Sequence, residues 1–135
     1  MKSVRKGKPV ILYVDDDEDD RMLLEDTFHM VVPDYKVETV ESGFEVMDYL
    51  KDKGNQLPCL LIVDLNMPVM TGKDVIQQLK TDNQYKDLQI VAFTTSSDPN
   101  DKADCARYGV DMITKPLNLR EFEKAASRLA EYCRP

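Results

Sequence analysis

Two stretches set the frame of the chain. Val10-Ile11-Leu12-Tyr13-Val14 and Cys59-Leu60-Leu61-Ile62-Val63 are unbroken apolar runs, and each gives way abruptly to acid: Asp15, Asp16 and Asp17 after the first, Asp64 after the second. Runs of that length without alternation predict strands buried on both faces, as in the middle of a parallel sheet. Leu88 to Thr94 reads as another strand and Val110 to Thr114 as a short one. Tyr35-Lys36-Val37-Glu38-Thr39-Val40 alternates instead, which predicts a strand near a sheet edge with one face less buried.

Helical periodicity fills the intervals. Leu24, Phe28, Val31 and Val32 share a face ahead of Pro33, which stops the helix. Ser42 and Glu45 have capping-box spacing and open a helix through Val46, Met47 and Leu50 that Gly54 closes. Thr71 and Asp74 repeat that spacing ahead of Val75, Ile76 and Leu79. Asp98-Pro99 predicts an N-cap with proline at the first helical position, and Gly109 ends the helix it opens. Asn118 caps a last helix whose Leu119, Phe122, Ala126 and Leu129 bury one side. Strand and helix thus alternate with a repeat of about 25 residues, the signature of successive βαβ units and of an α/β fold with helices on both faces.

The length of 135 residues suits one domain. We assign it to residues 9–135, preceded by a basic tail over 1–8, Met1-Lys2-Ser3-Val4-Arg5-Lys6-Gly7-Lys8, that is expected to be solvated. A net charge of −7 argues against nonspecific binding to nucleic acid or to an anionic membrane. No stretch is apolar enough to span a bilayer. Cys59, Cys105 and Cys133 are odd in number and lack a CxxC pair, so neither a disulfide framework nor a zinc site is expected, and a reducing cytoplasm is the simplest home.

The chemistry gathers at predicted strand ends: Asp15 and Asp16, then Asp64, then Thr94, then Lys115. In open α/β sheets ligands bind beyond the carboxyl ends of the strands, and in the flavodoxin-like order 2-1-3-4-5 the first and third strands flank the switch point. That order brings Asp15, Asp16 and Asp64 together. Crowded carboxylates repel unless a cation joins them, and an oxygen-only donor set favours Mg²⁺, Mn²⁺ or Ca²⁺ over zinc. With a hydroxyl and a lysine added, the inventory suits holding a phosphoryl group.

Ile11-Leu12-Tyr13-Val14-Asp15-Asp16, Asp64-Leu65-Asn66-Met67-Pro68-Val69-Met70-Thr71-Gly72, Phe93-Thr94-Thr95 and Lys115-Pro116 resemble the marker sequences of the receiver domain of two-component response regulators. The resemblance implies a (βα)5 three-layer sandwich and a phosphoacceptor signalling domain rather than an enzyme. It implies that Asp64 accepts the phosphoryl group from a sensor histidine kinase, a histidine phosphotransfer protein or a small donor. It further implies that Asp16, Asp64 and the Asn66 carbonyl ligate Mg²⁺, or Mn²⁺, with Asp15 acting through a water. Lys115 would pair with Asp64 and then with a phosphoryl oxygen, Thr94 would swing toward the phosphoryl group as a switch, and the Lys115–Pro116 bond would be cis. The downstream protein target is left unnamed.

The chain departs from the family at two places. Met112 stands where a switch Tyr or Phe is usual, so coupling to the output face should be softer. Thr95 stands where Ala is frequent, and with Asn66 it is positioned to set phosphoryl access and lifetime. Other residues read as ordinary: Asp17 to Asp20 as a solvated, favourable first helical turn, and His29 as packing. Two rival readings are a haloacid-dehalogenase-like Mg²⁺ phosphatase and a degenerate receiver used only for docking. Against the first, Asn66 occupies the place of that family's general acid and cannot deliver a proton. Against the second, the Asp, Thr and Lys set is complete. The chain ends just past the last predicted helix, which is expected of a stand-alone regulator or of a domain cut from a larger protein.

Overall fold

Strand β1 (Val10–Val14) lies between β2 (Lys36–Val40) and β3 (Leu60–Val63), and β4 (Ile90–Thr94) and β5 (Asp111–Thr114) continue the sheet. All pairings are parallel, in the order β2-β1-β3-β4-β5. The coordinates are a computed structural model describing residues 7–133. Most of the predicted basic tail, residues 1–6, lies outside the described residues, while Gly7 and Lys8 are exposed.

Parallel neighbours require crossovers, and each is a helix: α1 (Glu18–Val31), α2 (Gly43–Lys51), α3 (Gly72–Lys80) and α4 (Pro99–Arg107), with α5 (Leu119–Ala130) closing the chain. The period of two along the central strands divides the core into two layers. Ile11, Tyr13, Leu60, Ile62, Val91 and Phe93 pack with Leu24 and Phe28 of α1 and Phe122, Ala126 and Leu129 of α5. Leu12, Val14, Leu61, Val63 and Ala92 pack on the other face with Val46 of α2, Ile76 of α3 and Cys105 of α4. The fully buried β1 and β3 are the strands read as unbroken apolar runs, and the half-exposed β2 is the alternating one.

Helix ends follow local chemistry. Thr71 and Asp74 form a reciprocal capping box at α3. At α2 the Ser42 side chain accepts from the Glu45 N–H, but the Glu45 carboxylate reaches one residue further back, to the Glu41 N–H at 2.6 Å, so the predicted box is not reciprocal. That helix stops at Lys51, before Gly54, whose N–H instead donates to the Asp52 side chain. Gly109 has φ +71 and closes α4: its N–H donates to the Ala106 carbonyl and that of Val110 to the Cys105 carbonyl, a Schellman pattern.

Two expectations are corrected. Cys59 and Cys133 are joined by a disulfide across 74 residues, with Cα atoms 5.0 Å apart, and only Cys105 is free and buried. Cys59 precedes β3 and Cys133 ends the 3-10 turn after α5, so the crossover topology brings together two cysteines whose separation along the chain carries no signal. No peptide bond among the described residues is cis, so Lys115–Pro116 is trans. Trans is the intrinsic preference of X–Pro by about 0.5–1 kcal/mol, and Lys115 reaches its partners from that backbone.

Candidate phosphoryl site at the carboxyl ends of the strands

Register sets the site. Val14 pairs with Val63, so Asp15 and Asp64 leave adjacent strands at the same level, and the Asp64 N–H donates to the Val14 carbonyl at 3.1 Å. Thr94 pairs with Thr114, and the Lys115 N–H donates to the Thr94 carbonyl at 2.8 Å. The four strand ends flagged by the sequence therefore lie at the same, carboxyl edge of the sheet, with Lys115 beside Asp15 and Asp64. Gly72 opens α3 against the end of β3: a Cβ there would fall onto the Asp64 carbonyl oxygen, so only glycine lets the helix start this close.

Asp15, Asp16 and Asp64 can each bring a carboxylate oxygen within 4.8 Å of the others. Their environments differ. Asp15 is wholly buried, and its carboxylate is already engaged: Oδ2 accepts from the Tyr13 hydroxyl at 2.5 Å and from Lys115 Nζ at 2.7 Å, and Oδ1 accepts from the Asp17 N–H at 2.9 Å. Asp16 is exposed and Asp64 is buried at the crevice floor, with its Oδ1 accepting from the Asn66 N–H at 3.4 Å. Burial pushes the Asp64 carboxyl up to about 6; Lys115 pulls it down and the Asp15 charge pushes it further up. An oxygen-only trio with one carboxylate held partly protonated near neutrality fits a hard divalent cation, whose charge would return it to the ionised form.

Lys115 is buried and lies among three carboxylates. Its ammonium is 2.7 Å from Asp15, 2.8 Å from Asp20 and 3.7 Å from Asp64. Burial opposes its charge, but the hydrogen bonds to Asp15 and Asp20 and the charge of Asp64 outweigh that, and its pKa is raised. The expected pairing with Asp64 is thus the longest of the three, and Asp20, read as part of a solvated turn, is inside the site. The acidic first turn of α1 does carry its expected cap, since Asp17 accepts from the N–H groups of Asp19 and Asp20.

Thr94 is fully buried, and its hydroxyl oxygen accepts from the Ser96 N–H at 3.2 Å. Thr95 and Asn66 are exposed at the rim. Met112 is half-buried against the apolar layer shared with Tyr108 and Cys105. Residues the sequence did not single out also contribute. Arg21 donates to the Asp15 carbonyl at 2.8 Å and reaches Glu41, and Lys73 bridges Asp101 and Asp104, tying α3 to α4. Arg21 follows the acidic run, but nothing in its spacing reveals a backbone carbonyl as its partner.

A five-stranded flavodoxin-like sheet with an acidic trio, a buried threonine and a buried lysine at the strand ends defines a phosphoacceptor signalling module. The chain belongs to the response regulator receiver domain family, whose profile matches residues 11–127. It is similar to the response regulator Rcp1 of Synechocystis sp., 26% identical over 128 residues that cover 91% of this chain and 87% of Rcp1. The Mn²⁺-bound form of Rcp1 superposes with a TM-score of 0.81 at 25% identity, covering 91% of this chain and 92% of that one. The phosphorylated cyanobacterial phytochrome response regulator RcpA gives 0.83 at 27% identity, covering 93% and 94%. Family membership sets aside the phosphatase reading. Among the described residues no helix is long and apolar enough to cross a membrane.

Proposed function

We propose that Asp64 is the phosphoacceptor and that a Mg²⁺-dependent transfer from phosphohistidine on a sensor histidine kinase or phosphotransfer protein is the physiological reaction. The observation that carries this reading is the position of Asp64: a buried carboxylate at the end of a central strand, within reach of Asp15 and Asp16, with a lysine ammonium beside it. Asp16 and Asp64, with the Asn66 carbonyl, would hold the ion, and Asp15, its oxygens already taken by Tyr13, Lys115 and the Asp17 N–H, would act through a water. The ion supplies neutralisation of the donor and acceptor charges. The Asp64 oxygen attacks phosphorus as the bond to the donor nitrogen breaks, and Lys115 then takes a phosphoryl oxygen.

Thr94 serves as the reporter. Its hydroxyl oxygen faces the Ser96 amide at the start of the loop to α4, so a shift toward the phosphoryl group moves that loop directly. Met112 has rotamers enough to follow without a sharp two-state flip, and Thr95 and Asn66 at the rim tune access of water and hence phosphoryl lifetime. The domain, taken as residues 9–135, acts as a signalling component with at most slow autodephosphorylation, not as a turnover enzyme. The cytoplasm, where kinases draw on ATP, is its compartment.

The test is to mix the protein with Mg²⁺ and acetyl phosphate and to read intact mass. One added phosphoryl group, absent with EDTA and in Asp64→Asn, is expected. Undiminished labelling of Asp64→Asn would overturn the assignment.

A further inference from the structure

Lys115 and Asp20 are 95 residues apart, yet Nζ lies 2.8 Å from the Asp20 carboxylate. This contact is nearly as short as the one to Asp15 and much shorter than the 3.7 Å to Asp64. We infer that Asp20 is a positioning residue that holds the Lys115 ammonium on the α1 side of the crevice, off Asp64, so that the nucleophile keeps its oxygens free for a metal ion and donor. The inference rests on Asp64 being the phosphoacceptor.

Geometry divides the three contacts into different roles. The hold from Asp15 is fixed, because that carboxylate is wholly buried and locked by the Tyr13 hydroxyl and the Asp17 amide. The hold from Asp20 is adjustable, since its side chain is 34% exposed and stands on the first turn of α1, where water can replace the ammonium when Lys115 leaves. An ammonium has three protons to donate, and two are committed to Asp15 and Asp20. Lys115 can therefore pivot about Asp15, exchanging Asp20 for a phosphoryl oxygen without losing its anchor. Without Asp20, the one other carboxylate near the ammonium besides its Asp15 anchor is Asp64, at 3.7 Å, and a tighter Lys115–Asp64 pair would compete with a cation for the same oxygens.

Asp19 supplies the control: it lies on the same turn, is exposed and carries the same charge, but does not touch Lys115. In the full-length, metal-free protein, NMR of the lysine ammonium groups should show Lys115 protected from solvent exchange. Its signal should move and broaden in Asp20→Asn, stay in place in Asp19→Asn and be restored in Asp20→Glu. Calorimetric titration should show Mg²⁺ binding weakened by about three- to tenfold in Asp20→Asn relative to Asp19→Asn, the scale of one exchanged hydrogen bond.

Identical Mg²⁺ affinities in Asp20→Asn and Asp19→Asn would overturn the inference, as would a wild-type Lys115 ammonium that exchanges as fast as exposed lysines. Failure of the wild type to take up a phosphoryl group at Asp64 would instead overturn the phosphoacceptor reading. The ammonium spectra and the metal titration decide the Asp20 contact separately.

Discussion

The Tyr13 hydroxyl donates to Asp15 Oδ2 at 2.5 Å inside the core, so a strand residue of the apolar layer orients a carboxylate of the acidic trio. Burial, followed by the charge of Asp15, raises the pKa of the phenol, which keeps its proton across the usable range. Tyr13→Phe removes one donor to a buried carboxylate and leaves the aromatic packing against Phe93 in place. It should cost about 1.5–3 kcal/mol, the scale of a hydrogen bond to a charged group. Urea unfolding of Tyr13→Phe, Asp15→Asn and the double variant checks this: the cost of losing the hydroxyl should shrink when Asp15 is already neutral.

Metal-free stability should fall as pH rises through the Asp64 transition. The folded-state pKa of Asp64 is about 6, above that of an ordinary carboxylate, because burial and Asp15 outweigh Lys115. The folded protein thus holds this proton more tightly than the unfolded chain. The stabilisation is complete below about pH 4 and is lost as pH climbs through 6, with a total of the order of 2–3 kcal/mol. In EDTA, wild type should lose stability relative to Asp64→Asn between pH 4.5 and 7.5, and Mg²⁺ should recover it at the upper end. Parallel curves for the two proteins would show that Asp64 does not carry the effect.

Periodicity made the sheet legible, since solvent on one face or neither leaves its mark residue by residue. The buried β1 and β3 and the half-exposed β2 follow directly from that mark. Asp64, Thr94 and Lys115 were legible as departures from apolar strands, each a polar residue where the run ends. Pairings across long separations were not. Asp20 looked solvated because acids suit any helix N-terminus, and only the approach of Lys115 over 95 residues gives it a second role. The Cys59–Cys133 bridge was hidden for the same reason. The strand spanned Ile90 to Thr94 rather than starting at Leu88, because burial alone does not distinguish a strand from a buried loop residue.

Reducing the Cys59–Cys133 bridge should loosen the fold without disabling the site. The closed loop spans 74 residues of separation, and its release should cost about 2–4 kcal/mol through the unfolded chain. Cys59 precedes β3 and Asp64 follows it, so the bridge and the crevice lie at opposite ends of that strand, roughly 15 Å apart. Thermal melts with and without dithiothreitol should separate, while acetyl phosphate labelling of the folded protein stays within about twofold. Equal melting temperatures in wild type and Cys133→Ser under oxidising conditions would show that the bridge contributes nothing.

Val69 should be a poor residue for its own backbone. It has φ 64, the only positive φ at a non-glycine residue among the described residues, and its side chain is 86% exposed in the loop between β3 and α3. A β-branched side chain in the left-handed region crowds its flanking peptide groups, and exposure returns no packing in compensation. Asn tolerates that region and loses less conformational freedom on folding than Gly. Val69→Asn should therefore stabilise the protein by about 1 kcal/mol, with Val69→Gly gaining less because its unfolded chain is more flexible. The loop also runs from the Asp64–Asn66 turn to Gly72, whose approach to the Asp64 carbonyl admits no Cβ, so Val69 lies between two segments that touch Asp64. If that strain tunes the loop, Val69→Asn should change the acetyl phosphate labelling rate as well as the urea midpoint. A shifted midpoint with an unchanged rate would confine the strain to stability, and an unchanged midpoint would mean that the loop carries no strain at Val69.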